Sequence, residues 1–388
     1  MKDFIKSIIE KEKKEVIALR RELHRHPELS AQEYKTSKFI EDYLKNIGYT
    51  PKRLTQTGIV AYLDCGFLET TLLRADIDAL PVTELNEIDY KSENEGVMHA
   101  CGHDAHAAIL LVTAKILWEN KDKLISNILF VFQPNEEMDG GAKPMIDMGI
   151  IKDYNVTKAL GFHVTNDVPT GKVMLKGGAL MASPDDFLIK ITGRGGHGAF
   201  PEKCIDPLLV ATNIVPKLND ITNMVIKKCE SQVVQVCEIH GGVSNNVIPD
   251  ECVIAGTARS FSEEVRNEIP KLIEKIVNEE AEKVGAIANL TFNYSYPPLI
   301  NDEKIKEQVK KAIEKNIGDI VLTWDKGQMT GEDFAYFAKE VPSLFMFLGT
   351  SNEEKGITSP LHSNKFMIDE DGLAVGIGVY LACLLGEK

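Results

Sequence analysis

No stretch of the 388-residue sequence approaches the roughly 18 uninterrupted apolar residues that cross a bilayer. No apolar core with a small-residue cleavage site follows Met1-Lys2-Asp3-Phe4-Ile5-Lys6 either. The expected compartment is therefore the cytoplasm, with no membrane partner. Basic residues are in deficit, 44 against 58 acidic ones, leaving a net charge of −14. That field repels phosphate, so nucleic acid is not an expected partner. Cysteines are few and odd in number, and seven of them scattered through a large chain do not make a disulfide framework. Cys65, Cys204, Cys229, Cys237, Cys252 and Cys383 stand in apolar or mixed surroundings and are expected as small buried or half-buried side chains. Internal repeats and low-complexity segments are also missing. A hydrophobic fraction of 44% with 26% charge is that of a folded globular chain.

At this length two domains are expected. Apolar positions at helical spacing (Ile5, Ile8, Ile9, Val16, Leu19, Leu23) predict a helix over 5–25, ended by Pro27, and a second over 33–47 closed by Gly48. Strands are predicted over 58–63, 70–75 and 127–132, the last all apolar, with a helix over 104–118. This alternation predicts an α/β fold: an open mixed-sheet domain with helices on both faces. From about Met181 the rhythm changes. Strand 187–192, helix 207–225, strands 232–239 and 247–258, helix 262–284 and strand 288–294 spell βαββαβ, a ferredoxin-like unit. The expected division is 1–182 with 297–388 as the metal-binding catalytic domain and 183–296 as an inserted α+β domain.

The densest chemical cluster is His99-Ala100-Cys101-Gly102-His103-Asp104-Ala105-His106, just before an apolar helix, in a chain with nine histidines in all. Capping explains part of it, because a helix N-terminus favours Asp. The pair Glu136-Glu137 follows the buried strand 128–132, at a strand's carboxyl end where ligand crevices form in open α/β sheets. His163 follows the apolar run 159–162, again at an expected strand end, and His362 lies in a loop between strand 344–348 and the last helix. Thiolate, imidazole and carboxylate together suit zinc, manganese, cobalt or nickel better than calcium or magnesium. Five such ligands exceed the three of a one-zinc catalytic site, so two metal ions are the simpler expectation.

The ordered motifs Arg74-Ala75-Asp76-Ile77-Asp78-Ala79-Leu80-Pro81, His99 to Asp104, Glu136-Glu137, Gly195-Gly196-His197-Gly198-Ala199, Asn246-Val247-Ile248-Pro249, Gly256-Thr257-Ala258-Arg259 and Gly331-Glu332-Asp333-Phe334 run nearly end to end. Through them the chain resembles the metallopeptidase-like amidohydrolases. That family includes bacterial N-acyl-amino-acid amidohydrolases, hippurate hydrolases, N-acetyldiaminopimelate deacetylases and plant auxin-conjugate hydrolases. The resemblance implies metal-dependent hydrolysis of the amide bond of N-acyl amino acids, small-molecule substrates. It puts two divalent ions on Cys101, His103, Glu137, His163 and His362, and makes Glu136 the general base. It implies that His197 steadies the oxyanion from the inserted domain of a homodimer partner, and that Asn246 and Arg259 contact the substrate carboxylate, a task suited to the planar guanidinium fork. Asp76 and Asp78 fall where related peptidases have His-x-Asp; with Asp in the first place, both are expected behind the ligands, orienting them. Asn135, Met138 and Glu202 depart from the residues common in relatives and bear on substrate choice.

Other readings are weighed on the same residues. Gly193-Arg194-Gly195-Gly196-His197-Gly198 spells a dinucleotide-binding GxGxxG, but Pro201 and Pro207 interrupt the helix that should open there. Cys101 with His103 as a nucleophile and base would place a dyad two residues apart, whereas such pairs are assembled from distant segments. A metallo-dipeptidase or carboxypeptidase of the same family, and a catalytically silent binding relative, keep the same fold.

Overall fold

The structure is a computed structural model and describes residues 1–224 and 231–386. The chain divides into two compact units. One comprises Met1–Gly178, Asn301–Asp325 and the chain from Tyr336 on; the other comprises Ala179–Ile300 and Lys326–Ala335.

The first unit is built on an eight-stranded mixed sheet. Its spatial order is Lys52–Leu54, Gly58–Leu63, Asn127–Gln133, Thr70–Asp76, Val156–Pro169, Ser343–Ser351, Val173–Leu175, Val321–Thr323. Thr70–Asp76 runs parallel to both Asn127–Gln133 and Val156–Pro169, and Val156–Pro169 runs parallel to Ser343–Ser351. Every residue of Thr70–Asp76 and Asn127–Gln133 is buried, which is why Ile128–Phe132 reads as an unbroken apolar run rather than an alternating one. The helix His103–Glu119 is apolar on nearly all sides because it packs against Thr70–Asp76, Lys2–Arg25 and Asp371–Leu384 together. The helix Tyr34–Ile47 ends at Gly48, whose φ of 119° only glycine adopts freely.

The register puts the site residues on one level. Asp76 pairs with Gln133, just before Glu136-Glu137, and Arg74 pairs with Gly161, so two residues on His163 stands level with Asp76. His163 is not at a strand end as expected: its strand continues to Pro169, paired with Ser343–Ser351 past the level where Thr70–Asp76 stops.

The second unit carries a four-stranded antiparallel sheet in the order Gln232–Gly241, Glu251–Ser260, Ser183–Thr192, Ile287–Asn293. The helices Pro207–Asp220 and Glu263–Glu282 pack on it around a core that includes Phe187, Ile189, Ile214, Ile254 and Ile273. The chain order is βαββαβ. One predicted strand is corrected. The run 247–258 is broken in two: Val247–Ile248 pairs with Gly196–His197, and Glu251–Ser260 joins the sheet. Pro249, which lacks an N–H, stands between them and cannot carry the ladder across. The helix predicted over 207–225 ends at Asp220; Val225 and Cys229 lie outside the described residues. Cys237 is exposed on the edge strand, against the expectation of burial, while Cys65, Cys204 and Cys383 are half-buried and Cys252 is buried. Among the described residues no helix is long and apolar enough to cross a membrane.

Candidate metal centre

Cys101 and His103 flank Gly102, which begins the helix His103–Glu119 in the left-handed conformation with φ 84°. A Cβ there would stand 2.4 Å from Val164 Cγ2, so glycine is required by both φ and space. The turn gathers the thiol and the imidazole above the carboxyl end of Thr70–Asp76. His362, itself at φ 64°, is tied to the same turn through its amide, which donates to the Ala100 carbonyl at 2.8 Å.

Five side chains converge from four segments. Cys101 Sγ lies 3.3 Å from His163 Nε2 and 3.3 Å from His362 Nε2. Glu137 Oε1 lies 3.3 Å from His362 Nε2 and 3.8 Å from His103 Nε2. The groups Cys101–His103–His163, Cys101–Glu137–His362 and His103–Glu136–Glu137 each bring their ligand atoms within 4.8 Å of one another.

The donor set fits divalent ions on three counts. First, His103 Nε2 and Glu137 Oε1 are buried yet have no hydrogen-bond partner among the described residues, a costly arrangement unless something else satisfies them. Second, two of the imidazoles are held by Nδ1: His103 donates to the Asp78 carbonyl at 2.9 Å and its carboxylate at 3.1 Å, and His163 donates to the Val164 carbonyl at 2.6 Å. With Nδ1 so engaged, Nε2 is the nitrogen each ring would offer, once deprotonated, to a bound ion. Third, the site is a sink of negative charge. Burial pulls the His103 imidazole down, but the carboxylates of Asp76, Asp78 and Glu137 outweigh it and bring the group up to about 10. Burial, then the carboxylates of Glu137 and Glu136, push the Cys101 thiol well above its ordinary range. A nucleophilic cysteine needs the opposite environment, a positive one that favours thiolate.

Asp76 takes a different place. It is fully buried, accepts from Arg74 and from His106 Nδ1, and its Oδ2 is 3.7 Å from His103 Nε2. Burial raises its carboxyl, and Arg74, His103 and His106 more than reverse that, holding it well below the usual carboxylate range. His106 spends its other nitrogen on the Val164 amide at 2.9 Å, so neither of its nitrogens is left for a metal. Its motif neighbour His99 is also buried. Asp78 bridges the ligand residues: beyond His103 it accepts from the Glu137 amide at 3.0 Å and from Ser30 Oγ at 2.7 Å. Sequence reasoning did not find Ser30, and it counted His106 only as one of four potential ligands in its cluster.

In the second unit His197 is exposed on the short strand Gly196–His197. Its Nδ1 accepts from the Ala199 amide at 3.0 Å, which leaves Nε2–H as the outward donor of the neutral ring. Asn246 neighbours it across the ribbon, its carbonyl accepting from the Gly198 amide at 2.9 Å. Arg259, on Glu251–Ser260, is half-buried and donates through Nη1 to the carbonyls of Asp185 (3.0 Å) and Ala258 (3.1 Å). Burial lowers its guanidinium below the ordinary value.

Comparison with known proteins decides the lineage. The sequence profile described as "Peptidase family M20/M25/M40" matches residues 72–386. The chain belongs to that family. It is a hydrolase of the M20 type, and relatives match it over most of its length. It is 38% identical over 367 residues to thermostable carboxypeptidase 2 of Saccharolobus solfataricus, covering 93% of this chain and 92% of the relative. It is 40% identical over 305 residues to an N-acyl-L-amino acid amidohydrolase of Geobacillus stearothermophilus, covering 77% and 81%. Among solved structures, a dinuclear metal-binding peptidase of the M20 family from Bacillus subtilis superposes with a TM-score of 0.85 at 31% identity, covering 96% of this chain and 97% of that one.

Proposed function

We propose that this M20 hydrolase cleaves the amide bond of N-acyl amino acids, releasing a carboxylic acid and a free amino acid, with two divalent ions bound by Cys101, His103, Glu137, His163 and His362. The observation that carries the reading is the pair of buried, unpartnered ligand atoms, His103 Nε2 and Glu137 Oε1, facing a thiol that contacts two imidazoles. The relatives' names support the substrate class, among them the amidohydrolase above and an N-acetyl-L-cysteine deacetylase of Bacillus subtilis. The thiolate and imidazole donors suit zinc, manganese, cobalt or nickel.

When bound, such ions acidify water and polarise a carbonyl oxygen. The protein's own residues supply the rest. Glu136, buried beside Glu137, takes a proton from the attacking water and returns it to the departing amine nitrogen. His197, with Nε2–H as donor, stabilises the oxyanion. Arg259 and Asn246 bind the substrate carboxylate, the guanidinium in the bidentate manner. His197 serves the site of a partner copy in a homodimer formed through the 183–296 domain. The edge strand Gln232–Gly241, exposed along most of its second half, supports an interface there.

A carboxypeptidase reading uses the same residues on a peptide amide, and the Saccharolobus relative's name favours it. One assay separates the two: metal-stripped enzyme reconstituted with each of the four metals, given N-acetyl, N-benzoyl and N-arylacyl amino acids beside dipeptides. Preference for the acyl amino acids is expected. Hydrolysis of dipeptides alone overturns the substrate class, and no hydrolysis under any metal overturns the enzyme.

A further inference from the structure

Five non-glycine residues have positive φ among those described, and two of them, Ala31 (62°) and Asn135 (58°), direct their amides at one atom. Glu33 Oε1 accepts from the Ala31 amide at 2.8 Å and from the Asn135 amide at 2.9 Å. Its other oxygen accepts from Thr57 Oγ1 at 2.8 Å, two residues beyond Thr55, a third residue of positive φ (58°). The Glu33 side chain is wholly buried.

A left-handed non-glycine residue is strained and persists where its surroundings over-determine it. Here the surroundings are a single carboxylate joining three loops. Asn135 immediately precedes Glu136 and Glu137, and at the other end of this short segment the Glu137 amide is held by Asp78 at 3.0 Å. The segment is thus suspended between two buried acids. Glu33 occupies the N-cap place of the helix Tyr34–Ile47, yet its side chain caps no amide of that helix. Helix capping therefore does not explain a buried carboxyl whose burial pushes its pKa upward.

We infer that Glu33 is a positioning residue: it fixes the left-handed turn at Asn135 and thereby aims the Glu136 and Glu137 carboxylates. The inference rests on the proposed role of Glu136 as base. What Glu33 contributes is an acceptor oxygen, not a charge. Oε1 alone takes both amides, so the amide oxygen of glutamine can replace it, while the Thr57 hydroxyl can turn to accept from the new NH2. Alanine offers no acceptor.

The test compares Glu33→Ala and Glu33→Gln with Glu136→Gln, each reconstituted with zinc for kinetics and each metal-free for hydrogen exchange at the Asn135 amide. Glu33→Ala should lower kcat by about 10- to 100-fold, the scale of a misplaced catalytic group, with KM changed much less. It should also speed Asn135 exchange in the metal-free protein. Glu33→Gln should keep kcat and exchange near wild type. If Glu33→Ala does not fold, Glu33→Met keeps the volume without the acceptor and carries the same expectation. Wild-type kcat in Glu33→Ala with only a lower Tm overturns the inference, as does unchanged Asn135 exchange or a loss in Glu33→Gln equal to that in Glu33→Ala. An active Glu136→Gln overturns the role of Glu136 instead, and the exchange measurement still decides whether Glu33 holds the turn.

Discussion

His103 donates its Nδ1 proton to Asp78 at two acceptors, the carbonyl at 2.9 Å and the carboxylate at 3.1 Å. The same carboxylate receives the Glu137 amide at 3.0 Å, so one side chain sets the aim of two proposed ligands. Asp78→Ala should weaken divalent metal binding by about 10- to 100-fold, the range seen when a ligand's supporting partner is lost. Chelator competition on purified protein measures this, and unchanged affinity would show that the backbone carbonyl suffices to orient His103.

Gly102→Ala places a methyl against Val164 at a φ of 84°. A destabilisation of about 1–3 kcal/mol is expected from the backbone conformation alone, with the clash added to it. Denaturant unfolding of the metal-free protein checks it without invoking catalysis.

Thiol reagents separate the two conspicuous cysteines. Cys237 is exposed and Cys101 is buried among carboxylates that disfavour thiolate. Iodoacetamide should leave Cys101 unmodified by mass spectrometry, while Cys237, on the proposed dimer edge, should be labelled when the protein is diluted to monomer. Activity lost in step with Cys101 labelling, and surviving chelation, would restore the nucleophile reading.

Asp185 holds the Arg266 guanidinium through two bonds of 2.8 and 2.7 Å, both side chains buried, while its carbonyl seats Arg259. Asp185→Ala strands the Arg266 charge and should destabilise the protein by about 3–5 kcal/mol. The backbone carbonyl that seats Arg259 is kept in Asp185→Ala, so KM for an N-acyl amino acid should change much less than the stability does. Calorimetry and steady-state kinetics read the two effects.

Glu33 supplies the pH dependence. Burial raises its folded pKa above the ordinary 4.5, so the unfolded chain releases the proton first. Stability therefore falls as pH rises from 4.5 through the folded pKa, and the loss is complete above it. Glu33→Gln, which mimics the protonated acid, should gain stability relative to wild type across that window and hold a constant margin beyond. Urea denaturation of both metal-free proteins at stepped pH checks this; a margin independent of pH would mean that the carboxyl does not titrate apart from its unfolded value.

Local features of the fold were readable because they leave marks in the sequence. The all-apolar run Ile128–Phe132 signals a strand covered on both faces, and Gly48 signals a left-handed helix end. The thiol and imidazoles were legible as residue types at loop ends, and their mutual distances were not. The break at Pro249 was written in the sequence but masked by the apolar residues on either side. His163 was misjudged as a strand end because its strand outruns its neighbour, which only pairing reveals. Glu33 gave no signal: its importance lies in meeting Asn135 across 102 positions, and neither periodicity nor motif encodes such a meeting.

The unit that gathers these ligand residues is discontinuous in the chain, leaving at Gly178 and resuming at Asn301. Cys101 waits for His362, 261 positions later. During synthesis the intervening unit is all but finished while the ligand set still lacks a member, and domains fold as units as they emerge. The ribosome must therefore deliver nearly the whole protein before the cluster can close. A truncation before His362 removes more than a packing element: it leaves a chain that has its thiol and two of the three imidazoles but not the last one. On the proposed ligand set this gives an order of assembly in which metal capture comes last, as the step that tells a finished molecule from an unfinished one.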